Sequence, residues 1–208
     1  MPRKLLIATQ NQGKLKEIKS IYAALPIQIV SSADLGIDLT ILEDGQTYYD
    51  NALKKAAAFF QESGLITLAD DSGLEVTALN GAPGIHSARY ASINDPTDAD
   101  RRRYLLDKLS PIPRPWLARF HCTIVIVDQK RGISSAEGSC NGIIIPDERG
   151  DGGFGYDPIF FMPEHNATMA QLSSEKKNQI SHRARALQAV LPHVIRLFHL
   201  DNTIKIAE

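Results

Sequence analysis

Short apolar runs alternate with longer segments of helical periodicity along the first half of the chain. The short runs predict three strands, at residues 4–8, 27–30 and 65–69. Residues 13–24 carry apolar side chains at helical spacing, and the alanine-rich residues 47–63 predict a second helix, which Gly64 ends as a C-cap. This β-α-β-α-β order favours an α/β fold in which helices cover a sheet.

The second half of the chain follows a different pattern. Residues 119–128 predict a long strand, residues 129–132 a turn, and residues 133–140 an antiparallel partner that completes a hairpin. Further helices are predicted at residues 101–109 and 181–198. The last helix contains Pro192, which predicts a kink or a break near Leu191 because proline cannot donate the helical hydrogen bond.

The overall composition is that of an ordinary globular protein, with 43% hydrophobic and 23% charged residues among 208. This length allows one large domain or two small lobes. The formal net charge of −1 argues against broad binding to DNA, RNA or an anionic membrane, which requires a basic surface. A compact anionic ligand needs only a few local cations, so this class of ligand stays open.

The cysteine content and the N-terminal segment predict the cellular compartment. Cys122 and Cys140 are the only cysteines, and they provide neither a disulfide framework nor a zinc-binding spacing. The apolar stretch after Lys4 is too short for the core of a signal peptide, and no segment approaches the length of a transmembrane helix. We therefore expect a cytoplasmic protein with reduced thiols.

Asp70 and Asp71 form a pair of adjacent carboxylates at the end of the apolar run 65–69. Burial of a carboxylate is costly unless it is paired, and two neighbouring carboxylates repel each other. A buried strand that ends in this way is expected to have a cation nearby. Asp, Ser and Gly are equally typical of a strand-to-turn junction. From this stretch alone, a metal site and a plain turn both stay open.

Residues 9–14 connect the first predicted strand to the first predicted helix. Backbone N–H groups at a helix N-terminus attract anions, and Lys14 in the first turn adds a full positive charge. The segment is not a P-loop, because Ala8 stands where that motif needs glycine and Leu15 where it needs a hydroxyl. The alternatives are a phosphate-binding turn and a polar loop with a solvated lysine.

Glu43 and Lys55 extend the set of charged residues that could join the Asp pair. Mg²⁺ binds one or two carboxylates together with substrate phosphates, so Glu43 and Asp71 can share one ion. The alternative is that Glu43 only complements the dipole of the following helix. Lys55 can neutralise a carboxylate or reach a phosphate, whereas the neighbouring Lys54 points about 100° away on an α-helix.

Two further segments can recognise a flat ligand. Three glycines surround Phe154 within residues 152–157, and they allow the backbone to approach a base while the ring stacks on it. Ser181 can cap the last helix and leave His182 and Arg183 as donors for a carbonyl or a phosphate. The alternatives are a tight turn with a core aromatic residue and a solvated basic face.

Taken together, these segments resemble the inosine/xanthosine triphosphate pyrophosphatases, which remove deaminated purine nucleotides. The matching segments span nearly the whole chain, at residues 9–14, 43, 51–55, 69–74, 83–90, 119–122, 152–160 and 180–183. Two departures are His86, where the family commonly has tyrosine, and Cys140-Asn141, where a bulkier Trp-Pro sequence can occur. Neither departure touches the predicted metal or base pocket.

The resemblance implies an elongated α/β fold with a mixed sheet, in which two lobes of a single domain, residues 1–208, flank a central nucleotide-binding cleft. It also implies a homodimer. The implied reaction is the Mg²⁺-dependent hydrolysis of inosine, deoxyinosine and xanthosine triphosphates (ITP, dITP and XTP) to the monophosphate and pyrophosphate, which prevents their incorporation into DNA and RNA. The implied ligand is thus a purine nucleoside triphosphate, with neither a nucleic acid nor a membrane as partner.

The same resemblance, together with the chemistry of the residues, assigns a role to each candidate. Glu43 and Asp71 would hold Mg²⁺, and Asp71 would also orient or deprotonate the attacking water, with Asp70 as a neighbour of the metal. The expected substrate ligands are Thr9, Asn11, Lys14, Lys55 and Lys177 at the triphosphate, Phe154, Asp157, His182 and Arg183 at the base, and Ser72, Gly155 and Tyr156 as further contacts. Two other functions stay open: a related Maf-type pyrophosphatase for pyrimidine or modified nucleotides, and a nucleotide-binding module without turnover.

Overall fold

The computed structural model describes residues 3–91, 93–128 and 132–200. In this part of the chain, seven strands form one mixed sheet, which confirms the predicted α/β class. The strands are β1 (Lys4–Ile7), β2 (Gln28–Ser31), β3 (Thr67–Val76), β4 (Trp116–Asp128), β5 (Gly132–Ile144), β6 (Phe160–Met162) and β7 (Ala167–Thr168). The α-helices are α1 (Gln12–Ile21), α2 (Tyr48–Ser63), α3 (Asp98–Leu109), α4 (Ser174–Ile180) and α5 (His182–Phe198). None of these helices has the combination of length and apolar character needed to cross a bilayer.

The strand order in the sheet is β2-β1-β3-β4-β5-β6-β7. Strand β1 is parallel to both of its neighbours, and Leu6 lies opposite Val30 on one side and Thr67 on the other. A parallel strand with a neighbour on each side is expected to be buried on both faces, and Leu5, Leu6 and Ile7 are fully buried. Strand β6 pairs antiparallel with β5 and β7, so the sheet is mixed.

The chain divides into two compact units. Unit 1 comprises Met1–Asp71, Thr123–Gly138 and Ala184–Glu208, and unit 2 comprises Ser72–Cys122 and Ser139–Arg183. The buried apolar core of unit 1 contains Leu6, Ala8, Val30, Ala52, Ala56, Phe59, Ala69 and Val125. That of unit 2 is richer in aromatic residues and contains Trp116, Phe120, Tyr156 and Phe160. The single domain with two lobes around a cleft stays a prediction.

Strand β3 differs from its sequence prediction. The apolar run 65–69 predicts a strand that ends at the Asp pair, but β3 continues from Thr67 to Val76. Asp70 and Asp71 therefore lie inside a strand, and the plain strand-to-turn junction is wrong. Strand β1 pairs with β3 at Thr67 and Leu68, before the Asp pair, and β4 is the neighbour of β3 on the other side. Pairing on the β4 side therefore outweighs the low strand propensity of the polar residues that follow Leu68.

The predicted hairpin and last helix are present with changed bounds. Strands β4 and β5 are neighbours in the sheet and extend the predicted hairpin to Trp116 and Ile144, while residues 129–131 of the predicted turn lie outside the described residues. Helix α5 passes through Pro192 without interruption, so the predicted break near Leu191 is wrong. The helix buries Leu187, Val190 and Val194, and this packing outweighs the loss of one backbone hydrogen bond.

Candidate active site

Asp70 and Asp71 are both buried inside β3, with 1% and 4% of their surface exposed. The Lys14 ammonium lies 3.1 Å from Asp70 Oδ2, and the Lys55 ammonium lies 3.7 Å from Asp71 Oδ1. Lys55 also donates a 2.5 Å hydrogen bond to Glu43 Oε1. Two lysines thus supply the positive charge that a buried carboxylate pair requires. We call these five residues of unit 1 the acidic cluster.

Helix α2 explains why Lys55, rather than Lys54, belongs to the acidic cluster. The helix begins with a capping box at Thr47, which fixes the register of the first turn. Lys55 then faces the cluster, whereas Lys54 pairs with Asp44 at the surface. The predicted separation of the two lysines on the helix is therefore confirmed.

Asn51 belongs to the site, although the sequence analysis gives it no chemical role. It is fully buried, its Nδ2 donates to Asp71 Oδ2 at 3.1 Å, and its Oδ1 accepts from the Gly45 N–H at 2.8 Å. A Cβ on Gly45 would lie 2.7 Å from Asn51 Oδ1, so the close approach requires glycine. The sequence feature that could have identified Asn51 is its position four residues before Lys55, because this spacing places both side chains on one face of α2.

Burial and charge set the protonation of the acidic cluster. Burial raises the pKa of the Asp71 carboxyl, and the nearby Glu43 carboxylate raises it further, against the opposing effect of Lys55. Burial by itself would lower the pKa of Lys55, but the neighbouring carboxylates, Asp71 foremost, outweigh it and the pKa is raised. The cluster therefore contains a firmly protonated lysine beside a carboxylate with increased affinity for a proton.

The chemistry of the acidic cluster fits a divalent cation. The formal charges of its three carboxylates and two ammonium groups sum to one net negative charge. Among the described residues, no group of three or more His, Cys, Asp or Glu side chains is placed to hold a metal by itself. Mg²⁺ does not need such a cage, because it keeps several waters and takes one or two carboxylates together with phosphate oxygens. Glu43 and Asp71 match this donor set.

The start of α1 is built by two of the residues predicted to bind phosphate. Asn11 Oδ1 accepts from the Lys14 N–H at 3.0 Å, and Thr9 Oγ1 accepts from the Asn11 N–H at 3.2 Å. Both side chains therefore shape the turn from which Lys14 extends to Asp70. Their contact with a triphosphate stays a prediction, and the helix N-terminus with its lysine has the properties of an anion site.

In unit 2, two cations lie over the ring of Phe154. Lys177 Nζ is 4.7 Å and the guanidinium carbon of Arg183 is 5.6 Å from the ring centre, within the range of cation–π contacts. Lys177 also donates to Asp157 Oδ2 at 2.5 Å, and the same oxygen accepts from the Phe154 N–H at 2.9 Å. A Cβ on Gly153, whose φ is +74°, would lie 2.0 Å from this oxygen, so the turn requires glycine.

His182 and Arg183 begin α5, as predicted, and both are buried. Arg183 Nη2 donates to Ser72 Oγ at 3.0 Å. The His182 ring stacks on Phe120, with ring centres 4.7 Å apart and 16° between the ring planes. Phe120 is a second site residue to which the sequence analysis gives no chemical role. The sequence feature that could have identified it is its position in the matching segment 119–122. We call Phe154, Asp157, Lys177, His182 and Arg183 the aromatic cluster.

The predicted site residues thus fall into two groups. Unit 1 contains Thr9, Asn11, Lys14, Glu43, Lys55 and Asp71, and unit 2 contains Ser72, Phe154, Gly155, Tyr156, Asp157, Lys177, His182 and Arg183. Lys177 is expected at the triphosphate, but it pairs with Asp157 beside Phe154, and we assign it to the aromatic cluster. The Tyr156 side chain belongs to the core of unit 2 and donates to Ser87 O at 2.9 Å.

Similarity to known proteins decides the family. A family model described as the Ham1 family matches residues 5–193, a range that includes every residue of both clusters. The chain belongs to the Ham1 family. A curated relative of this Ham1 chain, the dITP/XTP pyrophosphatase of Desulforamulus reducens, is 45% identical over 196 residues, which cover 94% of this chain and 97% of the relative. The resemblance to this class of pyrophosphatases is therefore confirmed.

Solved Ham1 structures have the same fold. A HAM1 protein from Coxiella burnetii superposes with a TM-score of 0.82 and is 38% identical, over 93% of this chain and 98% of that protein. The Ham1 protein of Staphylococcus aureus gives a TM-score of 0.80 and 39% identity, also over 93% and 98% of the two chains. These values confirm the fold expected for the Ham1 family along almost the whole chain.

Proposed function

We propose that this Ham1 chain hydrolyses the non-standard purine nucleoside triphosphates ITP, dITP and XTP to the monophosphate and pyrophosphate. The observation that carries the proposal is the buried Asp70-Asp71 pair with Lys14 and Lys55 at its carboxylates. Water activation needs a carboxylate as a base, and a leaving pyrophosphate needs nearby positive charge. Relatives named dITP/XTP pyrophosphatase support the substrate class.

In the proposed reaction, Glu43 and Asp71 would hold Mg²⁺, which would neutralise phosphate charge and polarise the phosphoryl oxygen. Asp71 accepts a proton from the attacking water. Asn51 fixes one oxygen of that carboxylate through its 3.1 Å hydrogen bond. The water oxygen attacks the α-phosphorus, the bond from that phosphorus to the bridging oxygen breaks, and Lys14 and Lys55 balance the charge of the departing pyrophosphate.

The aromatic cluster provides the proposed purine site. Phe154 offers a ring for stacking, and Asp157 an acceptor for a ring N–H. Hypoxanthine and xanthine carry a carbonyl at position 6, where adenine carries an amino group. A donor from Arg183 or His182 pairs with the carbonyl but meets a second donor in adenine. Sites built on such polar matching discriminate by roughly 10⁴–10⁵-fold.

The choice of metal, the assembly and the compartment are further parts of the proposal. Mg²⁺ suits a site made of carboxylate and phosphate oxygens. The homodimer follows from the resemblance to the pyrophosphatase family. A cytoplasmic location is consistent with Cys122 and Cys140, which are both buried and unbridged. There, removal of deaminated nucleotides would keep them out of DNA and RNA.

Pyrophosphate release from a panel of nucleoside triphosphates, with Mg²⁺ and with excess EDTA, tests the proposal. We expect turnover of ITP, dITP and XTP that exceeds turnover of ATP by orders of magnitude and that is lost in EDTA. The released products should be pyrophosphate and the monophosphate in equal amounts, since the α-phosphorus is attacked.

The same panel separates the alternatives. Preferential turnover of thymidine triphosphate or of modified pyrimidine nucleotides would support the Maf-type pyrophosphatase. Binding of ITP without any pyrophosphate release in Mg²⁺ would support a nucleotide-binding module. Either result would contradict the proposed function.

A further inference from the structure

Helix α3 holds the backbone of the segment that carries Phe154. Asp98 Oδ2 accepts from the Gly155 N–H at 2.7 Å, and Arg102 Nη1 donates to the Gly155 carbonyl at 2.9 Å. One residue of this segment is therefore bound through both of its backbone polar groups. Asp98 and Arg102 lie four positions apart in the sequence, so they share one face of α3.

Both side chains are themselves held in place. Arg102 donates through Nε and Nη2 to the two carboxylate oxygens of Glu148, at 2.8 and 2.9 Å, in a bidentate pair. Asp98 pairs with Arg101, and Arg101 also donates to the carbonyl of Ala88 at 3.0 Å. The contacts to Gly155 therefore come from side chains with little freedom of their own.

The two contacts act on adjacent peptide groups. The Gly155 N–H belongs to the peptide that links it to Phe154, and its carbonyl belongs to the peptide that links it to Tyr156. Gly155 has a φ of +63°, and a glycine without such contacts would sample many conformations. Holding both peptide groups fixes this residue, and with it the direction in which the chain leaves Phe154 towards Asp157.

We propose that Asp98 and Arg102 are positioning residues for base recognition, because they hold Gly155 and thereby set the places of Phe154 and Asp157. This inference rests on the proposed function, in which those two residues contact the purine. Neither Asp98 nor Arg102 needs to touch the substrate. Their effect is preorganisation, because a segment that is already ordered in the free protein loses little conformational entropy when the ligand binds.

The proposal predicts a loss of affinity only for ligands that carry a base. In calorimetric titrations with deoxyinosine monophosphate, Arg102→Ala should weaken the affinity by about tenfold, because the backbone freedom that the variant gives to one residue must be lost again when the ligand binds. Inorganic tripolyphosphate, which has no base, should bind the variant and the wild type equally. In steady-state assays the KM for dITP should rise more than kcat falls, and the preference for dITP over dATP should decrease.

Arg103→Ala is the matched control. Arg103 follows Arg102 on α3, its side chain is 72% exposed, and it pairs with Asp100 at 3.5 Å, away from Gly155. This variant should keep the wild-type affinity for deoxyinosine monophosphate. A second test variant, Glu148→Ala, frees Arg102 without truncating it and alters a half-exposed residue, so it should fold and shift the affinity in the same direction as Arg102→Ala.

The outcomes separate this inference from the proposed function. Wild-type protein that neither binds deoxyinosine monophosphate nor hydrolyses dITP would overturn both. Wild-type activity, with affinity of Arg102→Ala and Glu148→Ala for the monophosphate within twofold of wild type, would overturn the positioning role alone. Equal weakening of tripolyphosphate and monophosphate binding would also overturn it, because the effect would not be specific to the base.

Discussion

The Lys177 ammonium lies 2.5 Å from the Asp157 carboxylate, and only 7% and 4% of the two side chains are exposed. A buried ion pair loses the solvation of both charges, so each partner depends on the other. The same Asp157 oxygen accepts the N–H of Phe154. The pair therefore joins α4 to the glycine-rich turn within unit 2, and it places charge beside the Phe154 ring.

Asp157→Ala should lower the free energy of unfolding by about 3–5 kcal/mol, because it leaves the Lys177 ammonium buried without its partner. Urea denaturation of the purified protein measures this change. In Asp157→Ala/Lys177→Met no uncompensated charge remains, so the double variant should lose less stability than the sum of the two single variants.

The matched control is the exposed ion pair of unit 2 between Arg119 and Glu75. Glu75→Ala should cost only about 0–1 kcal/mol, since solvent screens a surface pair. Equal losses for Asp157→Ala and Glu75→Ala would show that burial of the Lys177–Asp157 pair has no energetic consequence.

Lys55→Met should reduce kcat for dITP by about 10²-fold or more, in the range seen when one preorganised charge is removed from a reaction centre. The structure provides a neighbouring control on the same helix, because Lys54 pairs with Asp44 at the surface. Lys54→Met should keep kcat within about twofold of wild type. Comparable losses of kcat in both variants would contradict the assignment of Lys55 to the site.

A feature of the site can be predicted from the sequence when it depends only on residues that are neighbours in the chain. The angle between consecutive helical positions separates Lys54 from Lys55, and the structure confirms this separation. The prediction of a helix over residues 47–63 also needs only neighbouring residues, and α2 spans Tyr48–Ser63. The start of α5 at His182 follows in the same way from the residues around it.

The features that sequence patterns do not predict depend on partners far along the chain. The continuation of β3 past the Asp pair depends on its neighbour β4, which is distant in the sequence, so the apolar run that ends at Ala69 predicts too early an end for the strand. Asn51 binds Asp71 across 20 residues, and Lys177 binds Asp157 across the same separation. The sequence shows that a lysine is present, but which carboxylate it pairs with depends on the tertiary structure.

Asp71→Asn should preserve the fold and reduce kcat by several orders of magnitude, because the amide cannot accept the proton of the attacking water. Asn51→Ala should have a smaller effect, a loss of about tenfold in kcat, since the Asp71 carboxylate stays present as the base and loses one orienting hydrogen bond, while the Gly45 N–H also loses its acceptor. Single-turnover measurements on both variants, with circular dichroism to confirm folding, check this order. Near-normal turnover by Asp71→Asn would rule out its role as the base.

Arg183→Ala should lower kcat/KM for ITP much more than for ATP. The guanidinium is buried beside the Phe154 ring and donates to Ser72, so its remaining N–H groups are held in a fixed direction. Loss of a charged donor to the 6-carbonyl should cost about 10–100-fold for ITP. The amino group of adenine gains nothing from that donor, so ATP should be affected far less and the ratio of the two kcat/KM values should fall.

The control for this change is Arg185→Ala, which alters an exposed arginine two positions along the same helix. This variant should retain the wild-type ratio for ITP over ATP. Because Arg183 is buried, its removal also changes stability, and a general loss of folded protein would lower both kcat/KM values by the same factor. An equal decrease of kcat/KM for ITP and ATP in Arg183→Ala would therefore show that Arg183 has a structural role and that another residue donates to the 6-carbonyl.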